Sequence, residues 1–204
     1  ERAQWQKLLD AIPPYAVDEE TGGVCEWIHP LLTEHPYHRH VSQMYPVFPG
    51  YEVRADNDPQ LLKAFEISTR SRILGSKSGW AFAHLAALWC RLGDGEQSLQ
   101  ELDLLTKACT LENFFTLHND WRHMGASMDL GDFVPVQLDA LMGIANALQE
   151  MMLYSAPDVL HLLPLLTRTT PLPPRMPPSN PTWPLTPKPI GQRNPSNRDF
   201  LVCP

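Results

Sequence analysis

Apolar residues recur along this chain at the spacing of amphipathic helices, and the breaks in that spacing mark the connections. Trp5, Leu8, Leu9 and Ile12 fall on one helical face and the Pro13-Pro14 pair stops the pattern, which predicts a first helix over 2–12. Asp58-Pro59 offers an N-cap followed by a proline at the first helical position, and Leu62, Phe65, Thr69 and Ile73 extend a stripe toward Gly75, so a second helix is predicted over 59–74. Residues 79–92 are apolar on nearly every side, through Trp80, Phe82, Leu85, Ala86, Leu88, Trp89 and Leu92, the pattern of a helix buried on more than one face. Gly93-Asp94-Gly95 turns the chain into a helix over 95–108 with Leu99, Leu102 and Leu105 inward. A fifth helix, over 139–154, points Ile144, Leu148 and Met151 at a core. The fold class predicted is all-α, built from helical hairpins.

Two segments resist the helical pattern. Across 14–50, prolines at 30, 36, 46 and 49 and the Gly22-Gly23 turn leave room only for a short helix over 41–45. Residues 110–136 are irregular as well and contain His118, Asp120, Trp121, Arg122, His123 and Asp129. Loops of that length inside a compact domain commonly carry function. Beyond Pro164 the periodicity is lost and 12 of the 21 prolines crowd into 41 residues. Residues 1–164 are therefore predicted to form the folded part and 165–204 a Pro-rich disordered tail, as a frameshift or truncation would leave.

Composition narrows the class. With 43% apolar and 19% charged residues the chain reads as a soluble globular protein. Its most apolar stretches, near 81–87 and 145–153, are interrupted by His84, Asn146, Gln149 and Glu150, far short of the ~18 to 20 apolar residues of a membrane span, so no membrane partner is expected. Net charge is −7, divided between an acidic body (11 Lys plus Arg against 22 Asp plus Glu over 1–163) and a basic end (5 against 1). An acidic body repels phosphate backbones, so no nucleic-acid partner is expected, while neutral ligands such as sugars remain open. Cys25, Cys90, Cys109 and Cys203 are scattered and read as small buried apolar residues rather than a disulfide framework. Glu1-Arg2-Ala3-Gln4-Trp5 enters a helix directly, with no signal-peptide pattern, which predicts an interior start.

The densest chemistry lies in His38-Arg39-His40, set against the proline-broken turn Tyr45-Pro46-Val47-Phe48-Pro49-Gly50. Ionisable groups buried without partners are costly, so the cluster is either a pocket for a polyol or carboxylate or an ion-pair cluster with Glu26 or Glu34, and the residues alone weigh these equally. His29, His35, His38, His40 and Cys25 crowd together without the spacing of a zinc site, so no metal and no cofactor is predicted. Asp139 opens the fifth helix, where a carboxylate serves as an N-cap and, held in that orientation, can also serve a site. Trp121 could stack on the apolar face of a sugar ring or anchor its loop; Trp80, Phe82 and Trp89 read as core.

The run 38–50 is followed in order by Gly79-Trp80-Ala81-Phe82, Trp89-Cys90-Arg91-Leu92-Gly93-Asp94-Gly95-Glu96, Leu117-His118-Asn119-Asp120-Trp121-Arg122 and Val136-Gln137-Leu138-Asp139-Ala140. Together these five blocks resemble glycoside hydrolase family 95, the α-L-fucosidase and α-L-galactosidase family, over about 5–164. The resemblance implies an (α/α)6 barrel, of which this length accommodates the C-terminal half of the catalytic domain. It implies inverting hydrolysis of terminal α-L-fucosyl or α-L-galactosyl residues of glycans, so the partners expected are a fucosylated oligosaccharide or glycan and the missing N-terminal half of the catalytic domain. Arg39 and His40 inherit sugar contacts, Asp139 inherits the activation of the attacking water, and His38, His118 and Trp121 join the substrate-binding set.

The family's general acid and water-activating asparagines belong to motifs N-terminal to the segment resembled, and neither Glu26 nor Glu34 sits in the acid's motif. Leu141 stands where one subgroup carries asparagine. By this reading Arg39, His40 and Asp139 should line one pocket, and the chain by itself should be incomplete and inactive. An extracellular or periplasmic setting suits the full-length family member. A non-catalytic carbohydrate-binding module, with no use for a reacting Asp139, and a degenerate helical fragment that binds nothing are the alternatives.

Overall fold

Three helices of the computed structural model begin where capping residues stand. It describes residues 1–29, 31–73 and 76–165, so the predicted tail beyond Leu165 lies outside the described residues. Among these there are five α-helices: α1 (Arg2–Asp10), α2 (Pro59–Arg70), α3 (Gly79–Leu92), α4 (Gly95–Cys109) and α5 (Leu138–Met152). A single 3-10 turn, Ser42–Met44, stands where a short helix was expected. Side chains of Asp58, Ser78 and Asp94 accept hydrogen bonds from the N–H groups of Leu61, Ala81 and Gln97, satisfying donors that a helix start leaves free. Gly93 ends α3 in the left-handed region at φ 77°, a conformation that favours glycine, and so lets α4 fold back in a tight hairpin.

Three boundaries differ from the sequence reading by two residues or more. The first helix stops at Asp10, short of Ile12. The second stops at Arg70 rather than 74, because the next residues bond to another segment: the Ile73 N–H donates to the Pro36 carbonyl and the Arg72 guanidinium to the His35 carbonyl. The last ends at Met152, and an antiparallel ribbon follows, β1 (Leu153–Ala156) and β2 (Val159–Leu162), with Leu153 opposite Leu162. The protein is mostly helical, as expected; the ribbon is the addition.

α3 is the centre of the packing, against α4 on one side and α5 on the other. Its Phe82, Leu85, Ala86, Leu88 and Trp89 are buried, together with Met44, Val47, Val53 and Phe65 from the preceding loop and α2. α4 runs antiparallel to α3, with the Ser98 hydroxyl donating to the Ala86 carbonyl and Leu105 and Cys109 against Phe82. α5 runs parallel to α3: Ala140 approaches Gly79, Gly143 abuts Ala83, and Arg91 pairs with Glu150. Small residues permit this close approach, since a Cβ on Gly143 would stand 2.6 Å from that of Ala83. Leu99 and Leu148, expected to face the core, are 53% and 43% exposed, the buried positions beside Leu148 on α5 being taken by Ala140, Gly143 and Ala147. Cys90 and Cys109 are buried free thiols and Cys25 is half-buried.

Candidate active site

α3 starts, α4 ends and α5 starts at one end of the helical layer, because α3 and α5 run the same way and α4 the opposite way. The 110–137 segment crosses this end and is held there as extended chain. Leu117 bridges Val136, the His118 N–H donates to the Pro135 carbonyl at 2.9 Å, and the His118 carbonyl accepts from the Gly79 N–H at 2.9 Å. His118 thus stands at the first turn of α3 through backbone bonds alone. The 36–48 segment reaches the same region, anchored by the two bonds to Arg72 and Ile73 and by the buried Val41, Met44, Val47 and Phe48.

Within that segment His38 braces His40: its Nδ1 accepts from the His40 N–H at 3.3 Å, and the two rings lie 5.4 Å apart. Partial burial lowers the pKa of His40; Arg39, His38 and His118 lie near enough to lower it further, and Asp139 near enough to oppose them. His118 behaves likewise, lowered by burial and by Arg39 and raised by Asp139. Both imidazoles are consequently held neutral at pH 7, each offering one donor and one acceptor nitrogen. The structure thus brings Arg39, His38, His40, His118 and Asp139 into one electrostatic neighbourhood although they are drawn from two loops and a helix.

Asp139 is not the N-cap that the sequence suggested. Gln137 holds the cap position of α5 without a side-chain cap bond, and Asp139, in the first turn, accepts from the Ala140 N–H at 2.9 Å while remaining exposed. The Gln137 side chain turns instead to α3, where its Oε1 accepts from the Trp80 N–H at 2.6 Å. Trp121 is engaged at the C-terminal end of α4: its N–H and its indole N–H donate to the Ala108 and Thr110 carbonyls, and Arg122 lies over its ring at 4.7 Å. Its described contacts are those of a loop anchor. Asp120, fully buried, accepts from the N–H groups of Arg122 and Ala126 and closes the same loop.

A cavity of about 240 Å³ opens between α3 and α5, lined by Phe48, Trp80, Ala83, Met142 and Gly143, with Asp139 and Asn146 as its polar members. His84, one turn beyond Trp80 on α3, stacks on that indole at 5.4 Å and packs against Phe48, whose carbonyl lies 3.4 Å from its Nε2. Its pKa is lowered, chiefly by burial, and it lies close enough to His40 to feel its charge. Sequence reasoning missed Phe48 and Trp80 as lining residues and His84 as the group packed behind them; the available signal was one histidine at i+4 from a tryptophan in an otherwise apolar helix. Glu34 and Glu26 lie near Arg72, and the Glu34 carboxylate takes the Glu26 N–H; no ion pair joins either to His38, Arg39 or His40 among the described residues.

The sequence model of the glycosyl hydrolase family 95 catalytic domain matches residues 1–152. Alpha-L-fucosidase 2 of Arabidopsis thaliana is 30% identical over 167 residues, 76% of this chain and 18% of that protein. Probable alpha-fucosidase A of Aspergillus niger is 27% identical over 137 residues, 65% of this chain and 16% of that protein. The chain thus spans less than a fifth of the length of these curated relatives. With the match running from α1 through the loop histidines to the whole of α5, the chain belongs to glycosyl hydrolase family 95.

Proposed function

We propose that this chain forms one wall of the catalytic centre of an inverting glycoside hydrolase acting on terminal α-L-fucosyl residues of glycans, as the C-terminal part of an (α/α)6 barrel. The observation that carries the reading is the meeting of Arg39, His40, His118 and Asp139 beside a cavity, two loops and a helix start converging on one place. A sugar offers fixed hydroxyls, which the planar guanidinium of Arg39 and the neutral imidazoles of His40 and His118 suit as donors and acceptors. His38 holds the His40 backbone in place. Trp121 acts at one remove, as the anchor of the loop that presents His118.

An inverting glycosidase needs an acid for the leaving oxygen and a base for water on the opposite face of the ring, with the two carboxyl groups ~6.5 to 9.5 Å apart. Asp139, exposed in the first turn of α5, suits the role of base, because the Ala140 N–H holds one oxygen while leaving the other for water. The acid comes from a part of the family's catalytic domain other than the segment matched here. The supporting experiment pairs binding with turnover. L-fucose titrated into the 204-residue chain should shift the imidazole resonances of His40 and His118 in a saturable way, and Arg39→Ala should abolish that shift. Hydrolysis of 4-nitrophenyl α-L-fucoside by the same chain should stay near the buffer rate, since loss of general acid catalysis alone costs ~10²- to 10⁴-fold. A folded chain indifferent to L-fucose would refute the site; turnover at the rate of a complete relative would refute the missing acid.

A further inference from the structure

The first turn of α3 is satisfied in an unusual way. Its Gly79 N–H donates to the His118 carbonyl, its Trp80 N–H to Gln137 Oε1, and its Ala81 N–H to the Ser78 hydroxyl. Two of these three acceptors come from distant segments, one carrying His118 and the other standing two residues before Asp139. Gln137 is itself gripped at both ends of its backbone by the fully buried Thr116: its N–H donates to the Thr116 carbonyl at 2.8 Å, and its carbonyl accepts from the Thr116 hydroxyl at 2.5 Å. Gly79 makes the seat possible, because a Cβ there would stand 2.4 Å from the Leu117 carbonyl oxygen and 2.9 Å from Gln137 Oε1.

The cost of this arrangement falls on α5. Its cap residue spends its side chain on another helix, so the first turn of α5, the turn that bears Asp139, has no side-chain cap from Gln137. An uncapped first turn frays, which would let the carboxylate wander. What opposes fraying is the grip on Gln137 from α3 and Thr116. We propose that Gln137, seated against Gly79 and held by Thr116, is a positioning residue that fixes Asp139 relative to His118. That Asp139 is the reacting carboxylate rests on the function proposed above; the lock does not.

The test reads Asp139 through its neighbours without any sugar. His118 faces Arg39 and Asp139, and His40 faces those two together with His38, His118 and, from α3, His84. NMR titrations of both imidazoles are recorded in the 204-residue chain and its variants. Asp139→Asn removes an attractive charge and should lower both midpoints. Gln137→Leu changes no charge, so the same downward movement of His118 and His40, with circular dichroism unchanged, reports that Asp139 has drifted. Thr116→Val should act as Gln137→Leu does, and Thr116→Ser, which keeps the hydroxyl, should restore the wild-type titrations; this pair decides if Gln137→Leu does not fold. Folded Gln137→Leu and Thr116→Val proteins with wild-type midpoints would overturn the proposal, as would an Asp139→Asn protein in which neither histidine moves. Absence of L-fucose binding with the titration pattern intact would sink the fucoside reading and leave the lock standing.

Discussion

Arg91 illustrates how a single side chain can join three parts of this fold. Its guanidinium makes a two-pronged bond to Glu150 at 2.6 and 2.9 Å, lies over the rings of Tyr51 and Tyr154 at 4.5 and 4.4 Å, and is only 5% exposed. Removing one member of such a buried pair strands the other charge, so Arg91→Ala should lower the urea-unfolding free energy by ~3 to 5 kcal/mol. Lys107→Ala, which breaks the exposed pair with Asp103, should cost no more than ~1 kcal/mol in the same assay. His84 gives a pH dependence whose sign follows from its lowered pKa. The unfolded chain takes up the proton first, near its ordinary value of about 6.5, so stability from this residue is present above that pH and is lost as pH falls through the folded value. His84→Phe should flatten that part of the stability-against-pH curve measured by urea unfolding. His84 was legible only as one polar position in an apolar helix, because its stacking on Trp80 depends on a rotamer and on Phe48, 36 residues away.

At the scale of elements, starts were more legible than ends. Asp58-Pro59 and Gly93-Asp94-Gly95 act through their own backbone neighbours, so their meaning is local: Asp58 and Asp94 cap the helices they precede. Asp94→Ala should cost ~1 kcal/mol as a lost cap and should also release Arg70, whose guanidinium it holds at 2.9 Å; thermal unfolding of the two single variants and the double variant checks both parts. The end of α2 and the first turn of α5 were misread for one reason, that bonds to distant chain intervene: Pro36 takes the Ile73 N–H, and α3 takes the Gln137 side chain. Close packing of α3 on α5 is likewise visible only in three dimensions. Gly143→Val would drive methyl groups against Ala83 and the Trp80 ring, and should cost ~1 to 3 kcal/mol with little loss of helix by circular dichroism.

Taken as a whole, the molecule is unevenly anchored. α1 buries none of its residues, with Trp5 66% and Leu9 60% exposed, so deleting 1–12 should change the urea-unfolding free energy by no more than ~0.5 kcal/mol, and α1 amides should exchange with solvent before those of α3. Helix existence, the central burial of α3, the acidic body and the five motif blocks were determined by the sequence alone, since periodicity, capping and composition are properties of neighbours along the chain. Membership of the family was legible for the same reason. What only the tertiary structure decided is the company the site residues keep. Arg39, His40, His118 and Asp139 share a neighbourhood because α5 runs parallel to α3 and because loop carbonyls at 35, 36 and 118 are fastened to Arg72, Ile73 and Gly79. Trp121 carries the same motif wording as His118 yet turns to Thr110, because side-chain direction is set by packing and hydrogen bonds across the fold and leaves no trace in residue order.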